Sequence, residues 1–253
     1  MITGIQAASS PRDNRGGSLV VSALSKSFLG VRALAEISFQ VHEGEFVGLI
    51  GPNGSGKTTL IDCISGFVRP DAGQVTFNGH HILGWPPHRI ARKGLSRTFQ
   101  TARAFPTLTV AENLLTSALH RNDRRALRRA RLQVDELIEK FSLGHVAQTR
   151  AAELSYGQRK LVELASGLVA QPRLLLLDEP IAAINPTLAL TIMGEIRELH
   201  ASGTSVLLVE HNIEAVIQLA QRLVVLDHGA KIADGPPDGV IKSQTVQEAY
   251  FGR

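Results

Sequence analysis

The chain has 253 residues, 43% of them hydrophobic and 20% charged, which is enough to bury a sizeable core and excludes a disordered polyelectrolyte. A single cysteine, Cys63, excludes a disulfide framework and a cysteine-based zinc site. The formal net charge of +4 is modest and does not by itself indicate a nucleic-acid-binding protein.

Residues 1–17 are polar and rich in glycine and serine, which predicts a disordered tail. They lack the apolar segment of a secretory signal, and no stretch of the chain reaches the roughly 18 unbroken apolar residues that a membrane span needs. We therefore expect a protein that is kept in the cytosol and reaches a membrane only by docking to a partner that spans it.

Strand-like and helix-like segments alternate from Ser18 onward, a pattern typical of α/β proteins. The predicted strands cover residues 19–21, 37–41, 45–50, 174–177, 205–209, 223–226 and 231–233, with short β segments within 71–79. The predicted helices cover residues 57–67, 110–141, 155–170, 186–202 and 213–221. The apolar run 174–177 suits a parallel strand buried on both faces, and the Arg-rich helical sequence within 110–141 predicts a lobe inserted into the α/β core.

A glycine-rich segment between a predicted strand and a predicted helix fits the pattern G-x-x-x-x-G-K-[ST]. It reads Gly51, Pro52, Asn53, Gly54, Ser55, Gly56, Lys57 and Thr58, with Thr59 following. Such a loop points backbone N–H groups at phosphate oxygens, and the helix adds its positive N-terminal end. Lys57 can reach the β- and γ-phosphates, and Thr58 can bind Mg²⁺. The alternative is a chance glycine-rich turn, but the flanking strand and helix favour a nucleotide site.

Two adjacent acids, Asp178 and Glu179, follow the apolar run and precede Pro180. A carboxylate at the edge of a buried parallel strand lowers stability unless a ligand, a metal ion or a hydrogen-bond partner compensates for its burial. The carboxyl edge is also where open α/β sheets bind ligands. We expect Asp178 to hold Mg²⁺, directly or through water, and Glu179 to orient and deprotonate an attacking water. A strand-terminal acid that caps the next helix would explain one carboxylate but poorly explains two.

Four further features complete a resemblance to a known family. Residues Leu154–Gln158 are similar to the signature L-S-G-G-Q and stand at the start of a predicted helix. Gln100 falls at the family's Q-loop, His211 matches its switch histidine, and Phe28 falls where the family places an aromatic ring against adenine. In order and spacing, these features make nearly the whole chain resemble the ATP-binding subunit of an ABC transporter.

The resemblance implies both a fold and an assembly. The fold is a P-loop NTPase of the ABC type, with a RecA-like parallel-sheet core, an antiparallel β subdomain and an α-helical subdomain inserted at about 101–170, all within one domain over 18–253. The assembly is a pair of ATPase subunits that sandwich two ATP molecules, so that a monomer has only half of each site.

The resemblance also implies a role for each matching residue. Phe28 stacks on the base, Gln100 reaches Mg²⁺ or the attacking water, and His211 hydrogen-bonds the γ-phosphate. The signature residues serve the ATP held by the partner subunit; they are Ser155, Tyr156, Gly157 and Gln158. Two positions depart from the pattern, because Tyr156 replaces the first signature glycine and Asn185 replaces an aspartate in a loop that normally crosses the dimer interface.

A finer resemblance is to the ATPases of branched-chain amino acid importers, in particular the longer of their two ATPase subunits. The segments that carry it are 79–100, 108–114, 185–186 and 249–252. It implies transmembrane permease subunits, a second ATPase subunit or another copy of this chain, and a periplasmic solute-binding protein that selects the ligand. It also implies a peripheral position on the cytoplasmic face of the inner membrane, with no nucleic acid as a partner.

Two other functions stay open on the sequence. One is the ATPase of a lipopolysaccharide exporter, whose signature is similar. The other is a soluble ABC ATPase that acts on nucleic acid or ribosomes, and the six arginines within 121–131 are its only support. For those arginines we favour a solvated helix face, with contact to anionic lipid as an alternative.

Overall fold

The computed structural model describes residues 18–98, 104–117 and 124–251. Its strands are β1 Leu19–Phe28, β2 Val31–Val41, β3 Phe46–Ile50, β4 Ala72–Phe77, β5 His80–His81, β6 Leu95–Arg97, β7 Leu174–Asp178, β8 Ser205–Val209, β9 Arg222–Asp227 and β10 Ala230–Gly235. Its helices are α1 Lys57–Ile64, α2 Pro87–Ala91, α3 Val110–Thr116, α4 Arg124–Lys140, α5 Tyr156–Val169, α6 Pro186–Ala201, α7 Ile213–Leu219, α8 Pro237–Ile241 and α9 Gln244–Phe251. The predicted tail over 1–17 and Gln100 both lie outside the described residues.

The strands form two sheets, which confirms the predicted α/β class. An antiparallel sheet has the order β2-β1-β4-β5, and a second sheet has the order β10-β9-β3-β8-β7-β6. Strands β9 to β6 of the second sheet run parallel, and β10 pairs antiparallel at its edge. Leu49, Val209 and Asp178 stand at one level across β3, β8 and β7, so the loops after these strands emerge at a single edge.

Alternate residues of the parallel strands face two separate hydrophobic cores. Leu175 and Leu177 point into a core shared with helices α3 to α7, whereas Leu174 and Leu176 point into a core shared with α1 and the antiparallel sheet. Burial on both faces explains why β7 is apolar without interruption, as parallel strands covered on two sides usually are.

The β1–β2 hairpin is much longer than the sequence predicts. Pairing runs from Leu19 opposite Val41 to Phe28 opposite Val31, with irregular register in between. Ala23 takes a left-handed conformation at φ 48° within one such irregularity. Bulges of this kind break the alternation of polar and apolar residues, so most of the hairpin lacks a strand pattern.

The helical segment between β6 and β7 differs in detail from its prediction. The sequence predicts helix from 110 to 141, whereas the structure divides it into α3 and α4, which pack on each other and on α5. On α4 the side chains of Arg128, Arg129 and Arg131 are exposed, as expected for a solvated face. The limits proposed for a helical subdomain, about 101–170, stay a prediction.

Other differences lie at helix ends and at the C-terminus. Helix α1 stops at Ile64 rather than near Phe67, because Gly66 turns left-handed at φ 80° and the Phe67 N–H then bonds to the Asp62 carbonyl at 2.9 Å. Helices α8 and α9 follow β10 and have no counterpart in the prediction. Within the part of the chain that is described, none of the helices is both long and apolar enough to cross a bilayer.

Candidate active site

The glycine-rich segment forms a loop between β3 and α1, as predicted. Gly54 and Gly56 adopt left-handed φ values of 79° and 103°, which favour glycine. The buried Lys57 ammonium donates to the carbonyl oxygens of Gly51 at 2.7 Å and Pro52 at 2.9 Å, so it lies inside the loop. Burial lowers the pKa of Lys57, although the carboxylates of the acidic pair oppose that shift. The loop therefore holds a cation where phosphate oxygens could replace the carbonyls as its partners.

Two other parts of the chain support this loop. An added Cβ on Gly56 would lie 2.5 Å from the Ala33 oxygen of β2, so the loop needs glycine there. The Gly229 N–H donates to the Ser55 oxygen at 3.1 Å, and the Gly229 oxygen accepts the Ala35 N–H at 2.7 Å. Gly229 belongs to a two-residue turn between β9 and β10, in which His228 also has positive φ. This β9–β10 turn clamps the phosphate loop to β2.

Phe28 lies at the tip of the β1–β2 hairpin, on the strand pair whose β2 half contacts the phosphate loop. Its side chain is 45% exposed, and the Lys26 ammonium is 5.2 Å from the ring centroid. Asp71 fixes the tip by accepting the Lys26 ammonium at 2.8 Å and the Ser27 N–H at 2.7 Å. The ring is therefore exposed, and its stacking on a planar base, which the family resemblance implies, stays a prediction.

Asp178, the first acid of the pair, is part of a buried ionic network. Its carboxylate is 3.0 Å from the Arg97 guanidinium, which also donates to Asp62 on α1 at 2.6 Å and to Ser65 at 3.0 Å. The side chains of Arg97 and Asp178 are only 6% and 3% exposed. Burial raises the pKa of the Asp178 carboxyl, whereas the Arg97 guanidinium lowers it. The network ties the phosphate-loop helix to the acidic strand.

Glu179, the second acid, stands in a strained turn just beyond β7. It has a left-handed φ of 48°, which is uncommon for a residue other than glycine, and its N–H donates to the Val209 oxygen at 2.9 Å. Its Oε1 lies 3.7 Å from Nδ1 of His211, whose side chain is 57% exposed. The structure therefore brings these two predicted residues together at the carboxyl edge of the sheet.

Glu210 is a third acid at this edge that the sequence analysis missed. Its side chain is 1% exposed and follows β8, as Asp178 ends β7. The sequence did contain a signal, because the pattern of an apolar strand followed by an acid occurs a second time, in Leu207, Leu208, Val209 and Glu210. Burial raises the pKa of the Glu210 carboxyl, with the Ile181 N–H and His211 acting in the opposite direction.

The oxygen donors present suit a magnesium ion. Mg²⁺ keeps several waters and is bound by one or two protein side chains together with substrate phosphates. The Thr58 hydroxyl and the Asp178 carboxylate are such donors, on segments that emerge at the same sheet edge. Among the described residues, there is no group of three or more His, Cys, Asp or Glu side chains that could hold a metal ion.

The signature residues lie in a different cavity. Ser155 and Gln158 form a capping box at the start of α5, in which each side chain accepts the other's backbone N–H. The exposed Tyr156 and its neighbours line an open cavity of about 370 Å³ together with the loop before α6. Ser155 therefore caps this helix, and the lining of the cavity beside the signature contains no residue of the phosphate loop.

Asn185 is explained by its local structure. Its side-chain oxygen accepts the Leu188 N–H at 2.9 Å, so it caps the N-terminus of α6 immediately before Pro186. Asparagine and aspartate both perform this function well. The departure from aspartate therefore keeps the helix cap and removes only a charge.

Replacement of Asn185 by alanine should lower the free energy of unfolding by about 1 kcal/mol, because the Leu188 N–H loses its acceptor. Asn185→Asp keeps an acceptor oxygen and should change the stability by only a few tenths of a kcal/mol. Urea unfolding of both variants measures the difference. Equal stability of the alanine and aspartate variants would show that the cap contributes nothing.

Comparisons with known proteins cover nearly the whole chain. A family model described as "ABC transporter" matches residues 34–182. The chain is 37% identical over 249 residues to the high-affinity branched-chain amino acid transport ATP-binding protein BraF of Pseudomonas aeruginosa, covering 92% of this chain and 97% of that protein. It is 36% identical over 234 residues to the lipopolysaccharide export system ATP-binding protein LptB of Haemophilus influenzae, covering 92% of this chain and 97% of that protein.

A solved structure is similar in fold. The crystal structure of a nucleotide-free ATP-binding cassette from an ABC transporter gives a TM-score of 0.84 at 33% identity, covering 94% of this chain and 100% of that one.

Proposed function

Because this chain belongs to the family of ABC transporter ATP-binding proteins, which hydrolyse ATP to power transport, we propose that it energises a membrane importer for branched-chain or related amino acids. One observation carries the proposal: the chain matches a branched-chain amino acid transport ATP-binding protein over almost its full length. The arrangement of the phosphate loop and the acids at one sheet edge supports the same chemistry.

The proposed reaction is attack of water on the γ-phosphate of ATP. Residues 51–59 bind the phosphates through backbone N–H groups, Lys57 and the N-terminus of α1. Thr58 and Asp178 would hold Mg²⁺, with Gln100 as a further ligand, and the bound ion would neutralise phosphate charge. Glu179 accepts a proton from the attacking water, and His211 hydrogen-bonds the γ-phosphate. Phe28 stacks on the adenine.

A second subunit completes each site in this proposal. The signature residues 155–158 line an open cavity whose walls contain no residue of their own chain's phosphate loop. The N-terminus of α5 suits a phosphate held by another subunit, because its N–H groups and helix dipole favour an anion. The partner is a second ATP-binding subunit, giving a heterodimer, or another copy of this chain.

A groove beside the acidic network is where we place the permease. Its volume is about 270 Å³, and its walls come from α2, β6, α3 and α5. Phe105 on its wall is 58% exposed, while the buried Asn113 fixes the adjoining loop by hydrogen bonds to the backbone of Phe105 and Leu108. Arg97 also lines the groove, so a segment bound there contacts a residue that binds Asp178.

The proposed location is the cytoplasmic face of the inner membrane, where the subunit is peripheral. The periplasmic solute-binding protein acts through the permeases and does not touch this chain. No nucleic acid is expected as a partner. Export of lipopolysaccharide is the second candidate, and its specific support is the 36% identity to LptB.

Affinity purification of the tagged protein from gently solubilised membranes tests the proposal. We expect two different multi-span permeases and a shorter second ATPase to be recovered and identified by mass spectrometry. Export components in their place would support the second candidate. Recovery of ribosomes or nucleic acid alone would contradict both and leave a soluble ABC ATPase.

A bulky side chain in the groove should reduce the amount of permease that copurifies with this chain. Ala170→Trp fills the groove from the end of α5, and we expect it to reduce the permease recovered by about tenfold or more, the loss that about 1.4 kcal/mol of binding free energy gives. Ala201→Trp, on the exposed end of α6, is the matched control and should not change it. Melting temperatures show that both variants fold. Equal permease recovery from both variants would contradict docking in this groove.

A further inference from the structure

Tyr250 lies near the end of the C-terminal helix α9, and the proposed reaction gives it no role. The helix packs on β10 and is anchored in the core by the buried Val246. Residues four positions apart share a helix face, so Tyr250 follows Val246 on the side that meets the sheet. Its side chain packs against the core that also contains Ile50, the last residue of β3. The C-terminal helix therefore adjoins the strand that leads into the phosphate loop.

The hydroxyl of Tyr250 is a buried polar group that makes no hydrogen bond among the described residues. Burial raises the pKa of Tyr250 to about 12, and the backbone of Gly51 opposes this rise. Only the Gly51 N–H can act in that direction, because a donor favours the phenolate over the phenol. The phenol oxygen is therefore close to the first N–H of the phosphate loop, in a contact that is not aligned as a hydrogen bond.

Gly51 is tightly confined where the loop leaves β3. An added Cβ would lie 2.1 Å from the Leu226 oxygen of β9 and 2.6 Å from the Ser55 hydroxyl oxygen. The Gly51 carbonyl oxygen accepts the Lys57 ammonium at 2.7 Å. Two of these three neighbours belong to the phosphate loop and the helix that follows it. The orientation of the Gly51 backbone therefore depends on where Ser55 and Lys57 lie.

A bound nucleotide would change the partners of this part of the loop. In the proposed reaction Lys57 binds the phosphates, which removes a cation from the carbonyl oxygens of Gly51 and Pro52. Hydrogen bonds at active sites are often poorly aligned before the ligand binds and tighten in the complex. A buried hydroxyl without a partner lowers stability, so a state in which Tyr250 gains one is favoured. Nucleotide binding is the event that could supply that partner.

We propose that Tyr250 is a positioning residue, whose hydroxyl oxygen accepts the Gly51 N–H when a nucleotide occupies the phosphate loop. The C-terminal helix is then part of the nucleotide site, although it is far from the loop in sequence. It stabilises the loop in its occupied conformation rather than in its empty one. This inference rests on the phosphate-binding role proposed for residues 51–59, and it does not depend on what the transporter carries.

Tyr250→Phe tests the proposal, because it removes the hydroxyl and keeps the ring. Without nucleotide the melting temperature should not fall, since the lost group has no hydrogen bond among the described residues in that state. The Kd for a non-hydrolysable ATP analogue, measured by calorimetric titration, should rise about three- to tenfold, the effect of one hydrogen bond. Thr245→Val is the matched control, because it removes an exposed hydroxyl from the same helix, and it should change neither quantity. A lower melting temperature with an unchanged Kd would mean a purely structural role and overturn the proposal.

A second measurement observes the Gly51 N–H itself. Ile50 and Gly51 form the only Ile–Gly pair in the sequence, so ¹³C-carbonyl isoleucine and ¹⁵N-glycine together select the Gly51 amide in NMR spectra. With the analogue bound, we expect this amide to exchange with solvent about three- to tenfold more slowly in the wild type than in Tyr250→Phe. Equal exchange in the two proteins would overturn the proposal. Wild-type exchange that the analogue does not slow would overturn it even if Tyr250→Phe failed to fold. A wild type that does not bind the analogue would instead contradict the proposed phosphate site.

Discussion

Glu179→Gln should keep ATP binding and reduce turnover by about a hundredfold or more. Glutamine has nearly the same shape as glutamate but cannot accept a proton from water, and general-base catalysis contributes about 10²–10⁴-fold. The left-handed turn that holds Glu179 depends on its backbone N–H, which the substitution leaves intact. Steady-state ATP hydrolysis and equilibrium nucleotide binding, measured on the same preparation, separate the two effects.

Glu136→Gln provides the control for Glu179→Gln, because it removes the same charge from an exposed position on α4. It should change neither binding nor turnover by more than about twofold. Hydrolysis at the wild-type rate by Glu179→Gln would refute the role given to Glu179. Loss of ATP binding in that variant would show instead that the Glu179 carboxylate contributes to ATP binding rather than to the chemical step.

Arg97→Gln should lower the free energy of unfolding by about 3–5 kcal/mol, the usual result of removing one partner from a buried ion pair. The guanidinium binds Asp62 and Asp178 together, and Asp178 is nearly inaccessible to water. Glutamine cannot replace the charge, so it would leave Asp178 buried without a cation. Chemical denaturation measures the loss.

Two comparisons isolate the cause of that loss. Arg69→Gln removes an exposed arginine and should stay within about 0.5 kcal/mol of the wild type. Arg97→Lys keeps the charge but cannot form the same fork of hydrogen bonds, so we expect an intermediate stability. A loss below about 1 kcal/mol for Arg97→Gln would mean that the network stabilises little beyond the cost of burying its charges.

The family and the main elements could be predicted because their patterns are local. The glycine loop, the apolar runs of β7 and β8 and the cap at Ser155 are each written within a few adjacent residues. The relatives and the fold confirm the predicted ABC family. The predicted roles of the individual site residues stay predictions.

The contacts that could not be predicted join residues that are far apart in sequence. Arg97 reaches Asp62 and Asp178 across 35 and 81 positions, and no local pattern reports that pairing. The sequence places Glu210 at the end of an apolar strand, but its bond to the Ile181 N–H arises only from the packing of β8 beside the turn after β7. The β1–β2 hairpin joins residues that are close in sequence, but its full length could not be predicted because its bulges break the alternation of polar and apolar residues.

The β9–β10 turn has a consequence for engineering the chain. Surface turns usually accept inserted tags and probes, because little depends on their length. Here the turn closes with two residues, and Gly229 bonds to both the phosphate loop and β2. An insertion at His228 or Gly229 would break these bonds. It would therefore weaken nucleotide binding although every residue of the glycine loop is unchanged. Tags and probes should therefore be inserted at other sites. A relative with a longer turn at this point must support its phosphate loop through other contacts.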